Sequence, residues 1–208
     1  MNIKVCGITS VKQLQQLEGL DIDFAGLIFY KESPRYMGES ISPDDLSGAD
    51  LDIKKVGVFV NATHQEIMTA VDAYELDIVQ LHGDESAAFC ADLSEEIEVI
   101  KAFKIANNMT ESIDELVKEY DDACDYYLFD TAGDKHGGNG EKFDWTKITA
   151  AKIEKPFFLS GGIQLTDAIA LKKFKHPDFF GVDVNSGFEK APGVKDMAKV
   201  LEFKLAVK

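Results

Sequence analysis

Three side chains that could carry acid–base chemistry stand at or just after the ends of short apolar runs: Cys6, His82 and Asp130. A thiol, an imidazole and a carboxyl group can each move a proton near neutral pH in suitable surroundings. Asp130 closes the run at 126–129, where partial desolvation favours the protonated form that a general acid needs. Taken alone, Cys6 also fits a small buried hydrophobe and His82 a satisfied core histidine.

Two glycine-containing turns near the C-terminus suggest an anion site. Phe157-Phe158-Leu159 runs into Ser160-Gly161-Gly162, and the run at 179–184 leads into Asn185-Ser186-Gly187. Exposed backbone N–H groups and glycine's freedom of approach suit such turns to a phosphate. We therefore predict phosphate binding at Gly161, Gly162, Ser186 and Gly187.

A guanidinium follows the second apolar run, in Ser33-Pro34-Arg35-Tyr36. Arginine's planar fork binds a carboxylate through two hydrogen bonds, so Arg35 is a candidate for an acidic group of the substrate. The alternative is a solvated surface arginine.

The elements that must position these groups alternate between strand and helix along the chain. The β-rich apolar runs are 3–6, 24–29, 55–60, 77–81, 97–103, 126–130, 157–160 and 179–184. Helical periodicity occupies 11–17, 63–74, 85–93, 113–120, 145–153, 165–174 and 194–205, with a short turn at 43–46 in the second connection.

Strict alternation predicts a parallel sheet, and eight similar units favour its closure into an α/β fold, a single-domain (β/α)8 TIM barrel over residues 1–208. The glycine-rich stretch at 131–142 after the sixth strand is interpreted as a mobile loop that acts as a lid.

Strand parity places several polar groups inside this barrel. Lys4 and Cys6 share one face of the first strand, Gln80 groups with His82, and Asp183 faces inward from the eighth strand. Because the eighth strand closes against the first, we predict an ion pair between Lys4 and Asp183. Asp183 is then either a structural partner of Lys4 or a group that binds the substrate.

Composition limits the partners. The chain has 208 residues, 45% of them hydrophobic, and a net charge of −15, which disfavours nucleic acid and anionic membrane surfaces. No apolar stretch approaches the roughly 20 residues of a membrane span, and no signal-peptide pattern opens the sequence, so we predict a cytoplasmic protein. The three cysteines lack metal or disulfide spacing and are predicted to be free thiols, with Cys90 and Cys124 in packing roles.

A set of motifs runs in order along the whole sequence: KVCGIT at 4–9, SPRY at 33–36, VGVFVN at 56–61, QLHG at 80–83, FDT at 129–131, GGNG at 137–140 with FDW at 143–145, SGGI at 160–163 and DVNSG at 183–187. Through these motifs the sequence resembles the phosphoribosylanthranilate isomerase family over its length. Asn185 and Ser160 depart from the family, where serine and alanine are common, and we expect altered hydrogen bonding without loss of the anion site.

The resemblance implies roles for the candidate residues. Cys6 corresponds to the family's general base, Asp130 to its general acid and Arg35 to the group that holds the anthranilate carboxylate. The implied reaction is the Amadori rearrangement of N-(5-phosphoribosyl)anthranilate to 1-(2-carboxyphenylamino)-1-deoxyribulose 5-phosphate in tryptophan biosynthesis, with no metal or organic cofactor. To act as a base Cys6 must be at least partly ionised, and Lys4 or the nearby anion site could lower its pKa.

Other interpretations stay open at this point. A different phosphosugar isomerase or epimerase would share the phosphate turns, although it would leave Arg35 without a role. A non-catalytic phosphate-ligand sensor would not need Cys6 and Asp130, and a metal-dependent hydrolase lacks a convincing ligand cluster. The chain is expected to be a monomer or a homodimer that binds a small phosphosugar.

Overall fold

Eight parallel strands close into a barrel in sequence order. The computed structural model describes residues 1–38, 40–131 and 144–208. The strands are β1 (Asn2–Cys6), β2 (Phe24–Ile28), β3 (Lys54–Phe59), β4 (Ile78–Leu81), β5 (Glu98–Ile105), β6 (Tyr126–Thr131), β7 (Phe157–Leu159) and β8 (Phe179–Val184). The (β/α)8 prediction is therefore confirmed, and each predicted strand overlaps the observed one.

Helices in the connections form the outer layer. They are α1 (Val11–Gly19), α2 (Pro43–Ser47), α3 (His64–Tyr74), α4 (Ala87–Ser94), α5 (Ile113–Val117), α6 (Thr146–Thr149), α7 (Ala168–Lys173) and α8 (Met197–Val207). Hydroxyl side chains cap several of their first turns: Thr63 and Ser112 each form a reciprocal capping box with a glutamate three residues later.

Side-chain alternation divides the apolar residues into two layers. Ile3 and Val5 belong to the large core between barrel and helices. A smaller cluster fills the barrel interior from Phe24, Val56, Ile78, Ile100, Ala102, Leu128 and Phe158. This confirms the parity assignment for β1, because Ile3 and Val5 lie outside the barrel, on the face opposite Lys4 and Cys6.

Three parts of the chain differ from the sequence-based expectation. The segment predicted to be helical from residue 194 first forms a short antiparallel pair, β9 (Glu189–Ala191) with β10 (Val194–Lys195), and α8 begins only at Met197. The predicted helix at 165–174 opens with a 3-10 turn, and the one at 145–153 shortens to α6. The predicted lid at 131–142 lies, apart from Thr131, outside the described residues.

Within the described residues, no helix is both long and apolar enough to span a membrane.

Candidate active site

One pocket at the carboxyl ends of the strands gathers every predicted site residue. Its lining includes Cys6, Arg35, His82, Asp130, Gly161, Gly162, Asp183, Ser186 and Gly187. In barrels of this type the βα loops and strand ends at this face form the site. Closure of the sheet thus brings together groups that lie up to 181 residues apart in sequence, from Cys6 to Gly187.

The predicted Lys4–Asp183 ion pair forms beneath the pocket. Lys4 Nζ donates to Asp183 Oδ1 at 2.9 Å, and both side chains are buried. Burial lowers the pKa of Lys4, but the charges of Asp183 and Cys6 outweigh it and raise the pKa above its ordinary value. Ser160 Oγ also donates to Asp183 Oδ2 at 3.4 Å, so this departure from the family adds a contact to the carboxylate.

Opposing groups set the pKa of Cys6. Burial raises the pKa of the Cys6 thiol, and the nearby ammonium groups of Lys4 and Lys195 only partly oppose that shift. Lys4 therefore acts in the expected direction, but desolvation and the carboxylate of Asp183 outweigh the two cations and keep the pKa above its ordinary value.

His82 links β4 to the acid candidate on β6. Its Nε2 lies 3.2 Å from Asp130 Oδ2, while its Nδ1 lies 2.8 Å from the side-chain Nε2 of Gln80. The other carboxylate oxygen of Asp130 accepts a hydrogen bond from the backbone N–H of Thr131 at 2.9 Å. His82 is therefore a partner of Asp130 within the pocket wall, neither buried in the core nor isolated.

Arg35 is held by an acidic residue that the sequence analysis missed. Its Nε and Nη2 donate to Glu189, with Nη2 2.7 Å from Oε2, and the arginine is only 7% exposed. This excludes the alternative of a solvated surface arginine. It also means that the edge carrying Nε is occupied, which leaves the Nη1 and Nη2 end for a substrate carboxylate.

A second cation completes this network. Lys195 Nζ contacts Glu189 Oε1 at 2.6 Å and Asn185 Oδ1 at 2.7 Å. Burial lowers the pKa of Lys195, while burial of Glu189 is outweighed by its two cationic partners, which lower the pKa of that carboxyl. Two cations around one carboxylate give the site local positive charge in an acidic protein, as an anionic ligand requires.

No local pattern in the sequence could have found Glu189 as the partner of Arg35, or Lys195 as the second cation on Glu189, since they lie on the unexpected β9–β10 pair. The contact between Asn185 and Lys195 could not be predicted from the sequence either, although the departure of Asn185 from the family pattern marked that position as unusual.

The two turns have the backbone geometry that glycine was predicted to provide. Gly161 and Gly162 have φ of +86° and +65°, in the left-handed region. A Cβ on Gly161 would lie 2.2 Å from Thr131 Oγ1, and one on Gly187 would lie 2.3 Å from the carbonyl oxygen of Ile163. Both glycines are therefore required by close packing of the turn against neighbouring backbone or side chain.

The other two cysteines are buried in the outer core, away from the pocket lining. Burial raises the pKa of Cys90 to about 11 and that of Cys124 to about 12. Their packing role is consistent with the prediction, and all three thiols are free.

The fold and the pocket define a (β/α)8-barrel protein of the phosphosugar-isomerase type, with acid–base groups and glycine turns at one mouth. The chain belongs to the family described as N-(5'phosphoribosyl)anthranilate (PRA) isomerase, whose model matches residues 3–205.

Similar proteins agree with this assignment. A protein from Parabacteroides distasonis named N-(5'-phosphoribosyl)anthranilate isomerase is 43% identical over 205 residues, covering 98% of this chain and 91% of the relative. One of the same name from Phocaeicola vulgatus is 38% identical, covering 98% and 96%.

Solved structures show the same likeness. The phosphoribosyl anthranilate isomerase of Thermotoga maritima superposes with a TM-score of 0.84 at 31% identity, over 100% of this chain and 98% of that one. Another isomerase structure, in complex with reduced 1-(o-carboxyphenylamino)-1-deoxyribulose 5-phosphate, gives a TM-score of 0.78 at 29% identity with the same coverage.

Proposed function

We propose that this chain, as one barrel domain over residues 1–208, converts N-(5-phosphoribosyl)anthranilate to 1-(2-carboxyphenylamino)-1-deoxyribulose 5-phosphate in tryptophan biosynthesis. The observation that carries the assignment of residues is the single pocket in which Cys6, Asp130, Arg35 and both glycine turns meet. Family membership and the names of the relatives support the reaction.

Asp130 is the general acid in this proposal. Its carboxyl group gives a proton to the furanose ring oxygen, which also receives the electron pair of the breaking C1–O bond. The anilino nitrogen supplies electrons to C1, so the ring opens to an iminium. Asp130 is left as a carboxylate, which accepts a hydrogen bond from the backbone N–H of Thr131.

Cys6 is the general base. It removes the proton from C2 of the iminium, and the electron pair of that C–H bond forms the C1–C2 double bond of an enolamine, which tautomerises to the ketone. The base is the Cys6 thiolate. Burial raises the pKa of this thiol, and the ammonium groups of Lys4 and Lys195 oppose that shift. The positive charge of the iminium acts in the same direction as these cations until the sulfur takes up the C2 proton.

The remaining groups orient the substrate. Arg35, fixed by Glu189 through Nε and Nη2, offers Nη1 and the second N–H of Nη2 to the anthranilate carboxylate. The turns containing Gly161, Gly162, Ser186 and Gly187 bind the phosphate. His82 supports Asp130, and Asp183 keeps Lys4 in place beneath the reacting sugar.

The test is to supply N-(5-phosphoribosyl)anthranilate to the purified protein and follow its conversion by fluorescence. We expect turnover by the unmutated chain and a fall in kcat of about 10²–10⁴-fold in Cys6→Ala and in Asp130→Asn. Cys90→Ala is the matched control, since it removes a buried thiol outside the pocket and should keep kcat.

Near-normal turnover in Cys6→Ala would refute the base assignment. Absence of turnover in the unmutated protein would refute the function and favour a phosphate-ligand sensor.

The proposal also includes a cytoplasmic location, which free thiols favour, and a small phosphosugar as ligand without nucleic acid. The chain is proposed to act as a monomer or a homodimer, which light scattering on the purified protein distinguishes.

A further inference from the structure

The side chain of Gln80 is a buried polar group that the proposed mechanism does not use. It lines the pocket from the inner face of β4 and is 1% exposed. Its Nε2 faces Nδ1 of His82 at 2.8 Å, and its Oε1 has no hydrogen-bond partner among the described residues. An unpartnered buried amide oxygen is costly, so this orientation needs an explanation.

Counting protons along the chain Gln80–His82–Asp130 shows what the observed orientation requires. An amide nitrogen only donates, so Nδ1 of His82 must accept, and the single proton of the neutral imidazole must lie on Nε2. That proton points at Asp130 Oδ2, 3.2 Å away, which must in turn accept it. The observed arrangement therefore suits an His82–Asp130 pair that holds one proton, with Asp130 as a carboxylate.

A general acid needs one proton more. We call the His82–Asp130 pair that holds two protons the loaded pair. One of its protons is shared between Nε2 of His82 and Oδ2 of Asp130, and the other must lie on Nδ1 of His82. The Nδ1–H group then needs an acceptor in place of the amide nitrogen. Rotating the amide of Gln80 by about 180° exchanges Oε1 and Nε2 within the same volume and supplies that acceptor.

We propose that Gln80 is a positioning residue that acts through His82, and that its amide rotates when the His82–Asp130 pair takes up the proton for the acid step. Uptake adds one solvent proton, which can reach the pair because the side chains of His82 and Asp130 are 20% and 23% exposed. During catalysis the shared proton passes from Oδ2 of Asp130 to the ribose ring oxygen. The other proton stays on Nδ1 of His82, in a hydrogen bond to Oε1 of Gln80. The inference rests on the proposed role of Asp130.

Other titratable groups around the pair are common to all variants of Gln80. Among the residues that the structure describes, they are Lys4 and Cys6 from β1, Tyr30 and Arg35 after β2, Lys104 beside Asp130 in the β5–β6 register, and Asp183 from β8. A change in pH dependence that follows only the side chain at position 80 is therefore assigned to its contact with His82.

The test compares the pH dependence of kcat in Gln80→Glu and Gln80→Met. A carboxylate can accept from Nδ1–H but cannot donate to Nδ1, so Gln80→Glu should retain the loaded pair and move the alkaline fall of kcat upward by about one pH unit. Methionine cannot donate to Nδ1 and accepts only weakly from Nδ1–H. We therefore expect Gln80→Met to lower kcat and to move the alkaline fall of kcat to lower pH. Gln65→Glu, an exposed site on α3, is the control for the added charge and should match the unmutated profile.

Nitrogen-15 NMR of the histidine rings gives a readout that does not depend on turnover. The signals of His82 are assigned by their loss in His82→Asn. At high pH we expect the unmutated protein to show the Nε2–H tautomer and Gln80→Glu to shift toward Nδ1–H.

Equal losses of kcat in both variants with unchanged pH profiles would overturn the proposal in favour of a structural role. So would an unchanged His82 tautomer in Gln80→Glu. If the unmutated protein lacked isomerase activity but the tautomer still followed residue 80, the proposed function would fail while the contact itself stood.

Discussion

At the scale of single residues, the state of Cys6 is set by opposing effects. Burial and Asp183 favour the thiol, whereas Lys4 and Lys195 favour the thiolate, and burial is the largest of these influences. The positive charge of the proposed iminium acts in the same direction as the two ammonium groups, so it favours the thiolate that the proposed base role requires.

We predict that iodoacetamide modifies Cys6 slowly at pH 7 and progressively faster as the pH rises above the thiol's ordinary value of 9.0. The raised pKa limits the thiolate, while the position of Cys6 in the pocket wall gives the reagent access that the core positions of Cys90 and Cys124 lack. Peptide mapping by mass spectrometry measures the rates, with Cys6→Ala as control. Rapid modification of Cys6 at pH 7 would contradict the prediction.

Glu189 is a second residue whose charge matters. Its pKa is lowered because Arg35 and Lys195 outweigh the effect of burial. Its stabilising contribution is therefore complete above the ordinary value of 4.5 and is lost as the pH falls through the lower value of the folded state.

We predict that Glu189→Gln lowers the free energy of unfolding by about 2 kcal/mol at pH 7, since it leaves two buried cations without their carboxylate, and that the difference shrinks below pH 4.5. It should also raise KM for the phosphosugar because Arg35 loses its support. Urea unfolding at pH 7 and at acid pH measures the difference, with exposed Glu119→Gln as control. A difference that did not depend on pH would show that the ion pair does not stabilise the fold.

At the scale of elements, the turn after β7 is held against the end of β6. The positive φ of Gly161 and the closeness of Thr131 couple the candidate phosphate turn to the strand that carries Asp130. Asp130 and the candidate phosphate turn are thus positioned by the same contact between the turn and β6.

We predict that Gly161→Ala displaces this turn, raises KM and lowers the free energy of unfolding by about 1–3 kcal/mol, since the added Cβ meets Thr131 and the left-handed backbone is strained. Gly19→Ala is the control, because a Cβ there meets nothing within 4 Å and the residue ends α1. Steady-state kinetics and urea unfolding make the comparison. An unchanged KM in Gly161→Ala would separate this turn from phosphate binding.

At the scale of the whole molecule, an acidic chain surrounds a pocket in which two cations, Arg35 and Lys195, share one carboxylate, Glu189. The net charge of −15 repels an anionic substrate at long range, whereas Arg35 and Lys195 attract it at short range.

We predict that kcat/KM for the phosphosugar rises several-fold as NaCl is increased from about 0.01 M to 0.15 M, since screening reduces the long-range repulsion more than the contacts inside the pocket. The value of kcat at saturating substrate is the internal control and should stay constant. A fall in kcat/KM over this range would show that the local positive charge dominates the approach of the substrate.

The sequence by itself determined the alternating elements, the barrel and the face on which each strand residue lies. These depend on local periodicity and on closure of eight similar units, which is why the Lys4–Asp183 pair followed from parity and adjacency. Every site residue predicted from the sequence lines the pocket, because strand ends meet at one face of the barrel.

Only the tertiary structure decided which partners these residues have. Arg35 meets Glu189 across 154 residues of chain, on a strand pair that the helical periodicity concealed. The raised pKa of the Cys6 thiol likewise depends on how deeply that side chain is buried. The contact of His82 with both Gln80 and Asp130 depends on the spacing of β4 and β6 across the barrel mouth. Desolvation and distances of a few ångströms are properties of the closed barrel, and no short segment of sequence contains them.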